Sequence, residues 1–379
     1  MQLSDDLDLL MLMMDDTANA APLYRPTQYW KEYERRFLPE LRRDGLRDFR
    51  RRRGSVLSSF SATDLTPSLG RVDLRASRLW YNHRIRALPG WRPLIDAVTA
   101  VLRRCGSLLP TSSDVSLPDL HESTFRLISA IGGAQGARPL EELDISLAGN
   151  PEEIFRIGSK SYTTHALNYY LRYAYCCRFF DFGRDNVIVE LGSGCGKQVE
   201  IIKKLHPQTR FLLFDIPPQL YVCEQYLKTV FPGDVTSYRE TREWSALPEL
   251  QAGRVYVVPN WKFPLIASSH VDLFWNSASF QEMEPEVVEN YLRYVRDVAD
   301  AVYLQQKMSG KEIATGPGDV GVRTPTTLRE YTAGLKGFQR DDLSPCLGPP
   351  LMQKFLRDYF DSFWSRMGRA ERLREKSDS

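Results

Sequence analysis

The run Glu190-Leu191-Gly192-Ser193-Gly194-Cys195-Gly196 sets an acid and three alternating glycines directly after the β-branched stretch Val187-Ile188-Val189. Glycines at alternate positions let a backbone turn sharply and approach a ligand with no β-carbon in the way. The helical pattern that follows offers free backbone N–H groups, which suit an anion such as a carboxylate. Asp215 stands 23 residues beyond Gly192, at the end of the next β-type run, Arg210 to Asp215. An acid there can accept both hydroxyls of a ribose. Two common ribose-bearing ligands are disfavoured. A dinucleotide fingerprint wants its third glycine three residues after the second, where this chain has Lys197. A triphosphate loop would end in Gly-Lys-Ser/Thr, and this one does not.

These residues need a frame. From residue 187 onward the sequence alternates strand and helix, the pattern of a parallel sheet covered on both faces. Val187 to Leu191, Arg210 to Asp215, Val255 to Val258, Val271 to Trp275 and Ala301 to Leu304 read as five strands. Gly196 to Leu205, a segment with Leu220, Cys223, Leu227 and Val230 at helical spacing, and Pro285 to Ala299 read as helices between them. Pro285 suits a first helical position, and Glu284 and Glu286 suit the positive end of the helix dipole. An aromatic-rich helix is expected from Thr164 to Phe180, and another from Met352 to Met367 at an edge. Gly132-Gly133-Ala134-Gln135-Gly136 and Pro139 suggest a loop or boundary near 131–140. The expected architecture is therefore α/β, with a Rossmann-like sheet domain over 131–379 preceded by a mostly helical region over 1–130.

In this frame the segment resembles motif I and its acidic partner in class I methyltransferases. More narrowly, it is similar to the sugar O-methyltransferase family through Gly149-Asn150-Pro151, Tyr162-Thr163-Thr164, Glu190 to Gly196, Phe214-Asp215-Ile216-Pro217 and Asn276 to Met283. The resemblance covers roughly residues 149–340. It implies a class I methyltransferase fold and S-adenosyl-L-methionine as cofactor. Glu190, Gly192, Ser193, Gly194, Gly196, Asp215 and Asn276 would hold the cofactor, and Trp261 would stack on adenine unless it is a core or lid residue. Tyr162, Ser277 and Gln281 would meet the acceptor, a sugar or glycosylated small molecule.

Ligands of an open parallel sheet lie beyond the carboxyl ends of its strands. Asn276, Ser277, Gln281 and Glu282 follow the fourth strand, and Gln305, Gln306 and Lys307 follow the fifth. His270 and Asp272 sit at the start of the fourth strand, the wrong end, and read as structural. A sugar hydroxyl is a poor nucleophile at neutral pH, so a base or a metal is expected. Glu282 is the first candidate base, against an ion-paired or capping role. His165 is the second, against a cap or core role, and His206 reads as a helix C-terminal cap. No acidic cluster has convincing magnesium spacing, and no metal is assigned. Where amine-directed methyltransferases carry Asn/Asp-Pro-Pro-aromatic, this chain has Asn276-Ser277-Ala278-Ser279, which favours oxygen as the acceptor atom.

Whole-chain properties set the remaining bounds. The 379 residues are 42% hydrophobic and 26% charged, enough for a full α/β core. A net charge of +2 gives no general drive toward nucleic acid or acidic lipid. Between Lys31 and Arg53, ten basic residues oppose five acids, interleaved with Tyr29, Trp30, Tyr33, Phe37, Leu41, Leu46 and Phe49. A solvated helix flank explains that run better than an anion-binding patch. Six scattered cysteines and five histidines show no zinc or disulfide framework. With no targeting signal or membrane-spanning run visible, a cytoplasmic setting is expected. Pro67, Pro89, Pro93, Pro110 and Pro118 break the first half into short pieces. Homo-oligomer formation is left open. Competing readings are methylation of a non-sugar natural-product hydroxyl and a non-catalytic scaffold that keeps the fold.

Overall fold

A computed structural model describes residue 3, residues 5–51, residue 97 and residues 117–368 apart from 317 and 351. Pro67, Pro89, Pro93, Pro110, Arg52, Arg53 and Cys105 lie outside these described residues. Among the described residues, eight strands form one sheet. In chain order they are β3 (Val187–Leu191), β4 (Arg210–Asp215), β5 (Val235–Thr236), β6 (Val255–Pro259), β7 (Leu273–Ser277), β8 (Ala301–Lys307), β9 (Phe338–Pro345) and β10 (Tyr359–Arg366). A separate small hairpin pairs β1 (Phe155–Ile157) with β2 (Lys160–Tyr162).

The spatial order is β5-β6-β4-β3-β7-β8-β10-β9. The six strands β5, β6, β4, β3, β7 and β8 pair in parallel along this order, and β10 runs antiparallel to both β8 and β9. This is a Rossmann-like sheet with an antiparallel final hairpin. Its strand order reverses between β3 and β7, and a ligand crevice opens at such a point.

Period-two alternation builds the two cores. Ile188, Phe211, Leu213, Val257, Leu273 and Tyr303 face one cluster, whereas Val189, Leu212, Phe214, Tyr256, Phe274 and Val302 face the other. Helices cover both faces. On the first side pack α1 (Leu7–Asn19), α3 (Leu117–Ala134), α4 (Thr164–Cys177), α5 (Lys197–Leu205) and α6 (Pro217–Val230), with α2 (Gln28–Asp44) reaching the same cluster through Phe37 and Leu41. On the other side pack α7 (Pro285–Val298) and α8 (Leu328–Gly334). The described part of residues 1–130 is helical, and α1 is fastened onto the sheet domain. Asp6 N donates to the Tyr221 hydroxyl (2.9 Å), Tyr238 donates to Asp16 (2.7 Å), and Arg242 pairs with Asp16 (2.7 Å). Among the described residues, no helix is long and apolar enough to cross a membrane.

Three expectations need correcting. The aromatic-rich helix expected over 352–367 is a short 3-10 turn followed by β10. Phe360, Phe363 and Trp364 fit a helical stripe, but Phe360 and Trp364 pack on one face of the sheet and Phe363 on the other. The loop expected near 131–140 begins later, because α3 runs through Gly132 and Gly133. A β-carbon on Gly132 would meet the Tyr170 hydroxyl at 2.2 Å, so that glycine serves a close helix crossing instead of a turn. The fourth strand starts two residues later than expected, at Leu273. Asp272 instead accepts a hydrogen bond from Val187 N (2.8 Å), setting the register of β7 on β3, and His270 lies against Asp272 (3.3 Å) and Asp300 (3.4 Å).

Candidate active site

The loop after β3 turns on three glycines with left-handed backbones, Gly192 (φ 82°), Gly194 (φ 54°) and Gly196 (φ 76°). Gly192 N donates back to Phe214 O (2.8 Å), and Gly196 caps α5, with Glu200 N donating to its carbonyl (3.0 Å). A β-carbon on Gly192 would lie 2.3 Å from the side chain of Ser279, so the loops after β3 and β7 touch there. Asp215 closes the turn from β4, accepting from Gly194 N (2.8 Å) and Ile216 N (2.8 Å).

Beside these loops lies a cavity of about 230 Å³. Its lining on the glycine-loop side is Glu190, Gly192, Ser193, Gly194, Cys195, Gln198, Asp215 and Gln219. Ser277, Ala278, Ser279 and Glu282 form its floor, Tyr29, Trp30 and Tyr33 of α2 form the opposite wall, and Tyr169 and Arg172 of α4 lie beside Gln198 and Glu190. A narrow extension of about 20 Å³ runs between Asp215, Ile216, Asn260 and Tyr291 on one side and Leu23, Arg25 and Trp30 on the other. A larger cavity of about 620 Å³ opens at the far end of the sheet, by Asp181, Asp185, Asp272 and Asp300. It faces the amino ends of the parallel strands, where this fold class does not bind its ligands. His270, Asp272 and Asp300 set ligand atoms within 4.8 Å of one another near it, a cluster that sequence spacing hides.

Three carboxylates share the smaller cavity, and burial dominates all of them. Desolvation pushes Glu190 well above the usual carboxylate range, the nearby charge of Asp215 adds to this, and Arg172 opposes it. Asp215 is pushed up to about 7 by burial, against its hydrogen bonds from Gly194 and Ile216. Glu282 is raised by burial and held back by Lys311, 3.1 Å away, and by a hydrogen bond from Tyr29. Buried polar atoms of this region without a hydrogen-bond partner among the described residues include Arg172 Nε, Gln198 Oε1, Gln219 Oε1 and Asn260 Oδ1. Ala278, in the floor, holds a left-handed backbone (φ 60°) that costs a non-glycine residue about 1–2 kcal/mol. Such local strain concentrates at functional sites.

The raised value of Asp215 has a stability consequence. A buried acid with a folded value above its unfolded one favours the folded state most at low pH and loses that contribution as pH rises through the folded value. For Asp215 that window runs from its ordinary 3.8 to about 7. At about 1.4 kcal/mol per pH unit, the ceiling is about 4 kcal/mol. Ligand-free Asp215→Asn is therefore expected to lose less stability than the parent between about pH 5 and pH 8, measured by urea unfolding at each pH. Equal losses in the two proteins would show that Asp215 is ionised throughout that range.

The sequence-predicted residues divide sharply. Glu190, Gly192, Ser193, Gly194, Asp215, Ser277 and Glu282 come together around one cavity. Gly196 stands one turn back, shaping the start of α5. Asn276 is fully buried and engaged at both ends of its amide: its Nδ2 donates to Leu191 O (2.7 Å), and its Oδ1 accepts from Phe280 N (3.0 Å) and Gln306 Nε2 (2.7 Å). Gln281 is likewise fully buried, donating to the Tyr359 hydroxyl (3.0 Å) and accepting from Lys307 N (2.6 Å). Asn276 ties the floor loop to β3 and β8, Gln281 ties it to β8 and β10, and neither lines the cavity. Trp261 packs edge-on against Tyr238 (6.4 Å) outside it. Tyr162 is 1% exposed, packed among Phe125 and Phe155 in the core. His165 does not line the cavity, and burial with the charges of Arg50, Arg172 and Lys197 pushes its imidazole down to about 3. His206 occupies the C-cap of α5 and meets the Tyr173 hydroxyl (2.8 Å). Lys197, at the place of the missing dinucleotide glycine, turns inward to pair with Glu200 (2.8 Å) and Tyr226.

The residues that sequence reasoning missed are the opposite wall and the buried amides. Tyr29, Trp30 and Tyr33 read as one apolar stripe of a basic helix, and nothing in the spacing says what that stripe covers. Arg50, from the same basic run, is fully buried and donates to Ser146 O (2.7 Å) and Ala148 O (3.0 Å). That arginine belongs to the interior, not to a solvated flank.

No protein-family model and no curated protein matches the sequence. Among solved structures, the pyocyanin biosynthetic protein PhzM aligns at 16% identity and a TM-score of 0.34, covering 50% of this chain and 53% of PhzM. The chain thus spans about half the length of PhzM. Magnesium protoporphyrin IX methyltransferase from Synechocystis PCC 6803, determined with bound SAH, aligns at 10% identity and a TM-score of 0.38, over 54% of this chain and 84% of its own. The mitomycin 7-O-methyltransferase MmcR aligns at 13% identity and a TM-score of 0.33, over 78% and 93%. Superpositions this loose say nothing of activity, and the fold assignment rests on the strand order described above.

Proposed function

We propose that this protein is an S-adenosylmethionine-dependent O-methyltransferase acting on a hydroxyl of a small molecule. The observation that carries the reading is the convergence of Glu190, the glycine loop, Asp215 and Glu282 on one cavity at the point where the strand order reverses.

The unpartnered groups fit the cofactor. The amides at the start of α5, together with Arg172 Nε, suit its carboxylate, and Glu190 suits its amino group. Each oxygen of Asp215 keeps acceptor capacity for a ribose hydroxyl beyond the one backbone bond it receives. Asn260 Oδ1 is an acceptor in need of an N–H donor, which a purine amine supplies. The purine end is tight, because about 20 Å³ is room for little more than one water. Seating a purine there requires this extension to widen.

When bound, the cofactor supplies a sulfonium methyl whose carbon–sulfur bond breaks as the acceptor oxygen bonds the carbon, leaving a thioether. Glu282 takes the hydroxyl proton. Its burial raises its basicity, and Lys311 keeps a charged carboxylate available. His165, held neutral at about 3 and away from the cavity, is too weak a base for that work.

Within this reading the acceptor is a sugar or glycosylated small molecule. The serine and carboxylate floor, Ser277, Ser279 and Glu282, supplies hydrogen-bond partners for neighbouring hydroxyls. A non-sugar natural-product hydroxyl is the second reading, favoured by the aromatic wall facing that floor. Incubation with labelled S-adenosylmethionine and a panel of nucleotide sugars, glycosides and phenols, followed by mass spectrometry, tests it. Labelled ether product is the expected result. Label found only on amines would overturn the oxygen assignment.

A further inference from the structure

The wall facing the glycine loop comes from outside the strand–helix frame, on the first turns of α2. Positions 29, 30 and 33 share one helix face at spacings of three and four. Thr27, the N-cap residue of α2, donates its hydroxyl to Glu282 O (2.9 Å), which fixes that face toward the cavity.

The three rings have different duties. Tyr29 is 6% exposed, with Tyr33 stacked on it (5.5 Å, 26°), Lys311 over its ring (4.7 Å) and its hydroxyl engaged by Glu282. It is committed to neighbours. Trp30 and Tyr33 are only partly buried, lie 5.1 Å apart at 58° to one another, and form an open corner bordering the 230 Å³ cavity.

Resting on the functional reading above, we propose that Tyr33 and Trp30 are specificity-determining residues of the acceptor chamber. They select an acceptor that lays an apolar ring face against them, either an aryl ring or the C–H face of a pyranose. Rings stack offset or edge-on upon such surfaces, and an acyclic polyol of equal polarity has no face to offer. The opposite side of the acceptor meets Ser277, Ser279 and Glu282, so the hydroxyl nearest the floor is the one presented for transfer.

Saturation-transfer NMR on the full chain loaded with S-adenosylhomocysteine tests this, with p-nitrophenyl β-glucopyranoside, methyl β-glucopyranoside and sorbitol as probes. The expected result is transfer to at least one ring probe and none to sorbitol. Whichever ring probe responds separates aryl from pyranose recognition. Tyr33→Ala should weaken that transfer by about fivefold or more, while Tyr33→Phe retains it, because the ring face carries the contact. Cofactor-product affinity, measured by calorimetry in the parent and both variants, fixes the loaded fraction at which the transfer is compared. If Tyr33→Ala does not fold, Tyr33→Leu provides the same comparison. Transfer to sorbitol as strong as to the ring probes, no transfer to either ring probe, or undiminished transfer in the ring-less variants overturns the proposal. Failure of the parent to bind S-adenosylhomocysteine would instead defeat the functional reading beneath it.

Discussion

Glu282→Gln is expected to lower the methyl-transfer rate by about 10² to 10⁴ while changing cofactor affinity little, the signature of a lost general base. The substitution keeps the shape of the side chain and removes its basicity. It also removes the charge facing Lys311, so part of the effect comes from a lysine left without its ion pair. His165→Gln, assayed alongside on the same acceptor, separates base loss from damage to the surroundings. The histidine lies outside the cavity and stays neutral down to about pH 3, so its variant should retain near-parental turnover. The parent rate should rise with pH through the ionisation of Glu282, which burial sets above the usual carboxylate range. Full turnover in Glu282→Gln combined with loss in His165→Gln would transfer the role to the histidine. Turnover retained in both would leave alignment of the reacting atoms as the main contribution.

Gly192→Val should abolish cofactor binding and destabilise the fold by about 2–4 kcal/mol, from a left-handed backbone and overpacking together. The backbone at Gly192 has φ 82°, and even a single β-carbon would lie 2.3 Å from Ser279. Relief would have to push apart the loops after β3 and β7, which are the two halves of the site. Gly133→Ala provides the contrast. That glycine sits within α3 with nothing within 4 Å of an added β-carbon, so the substitution should stabilise by about 0.5–1 kcal/mol. Chemical denaturation and calorimetric titration of both variants check the pair. A Gly192→Val protein with parental stability and affinity would show that the loop does not adopt this geometry.

The contrast also shows which features sequence alone reveals. The glycine loop, Glu190 and Asp215 were legible because they depend on local backbone demands, strand followed by turn followed by helix, that leave a pattern. The parallel strands were legible for the same reason, their β-branched runs being bounded by turn residues. Polar residues after β7 were harder. Asn276 and Gln281 have the composition of site residues, but their amides are consumed in fastening the floor loop to its neighbours. Residue type does not reveal which way a side chain turns. β10 reads as helix because Phe360, Phe363 and Trp364 fall at helical spacings of three and four, whereas the strand buries them on both faces of the sheet. The α2 wall was invisible for a deeper reason. Its position opposite the glycine loop arises from tertiary docking between residues more than a hundred positions apart, such as Thr27 with Glu282. No local pattern encodes that approach.

The central claim, that this cavity binds S-adenosylmethionine or its demethylated product, is tested most directly by thermal and chemical unfolding with and without each ligand. Binding to the native state alone adds about 2.7 kcal/mol at a hundredfold excess over the dissociation constant. The expected result is stabilisation by both ligands in the parent and a much smaller gain in Asp215→Ala, which lacks a charge-assisted ribose contact worth about 1.5–3 kcal/mol. Unchanged unfolding curves with both ligands, together with strong stabilisation by NAD or ATP, would contradict it.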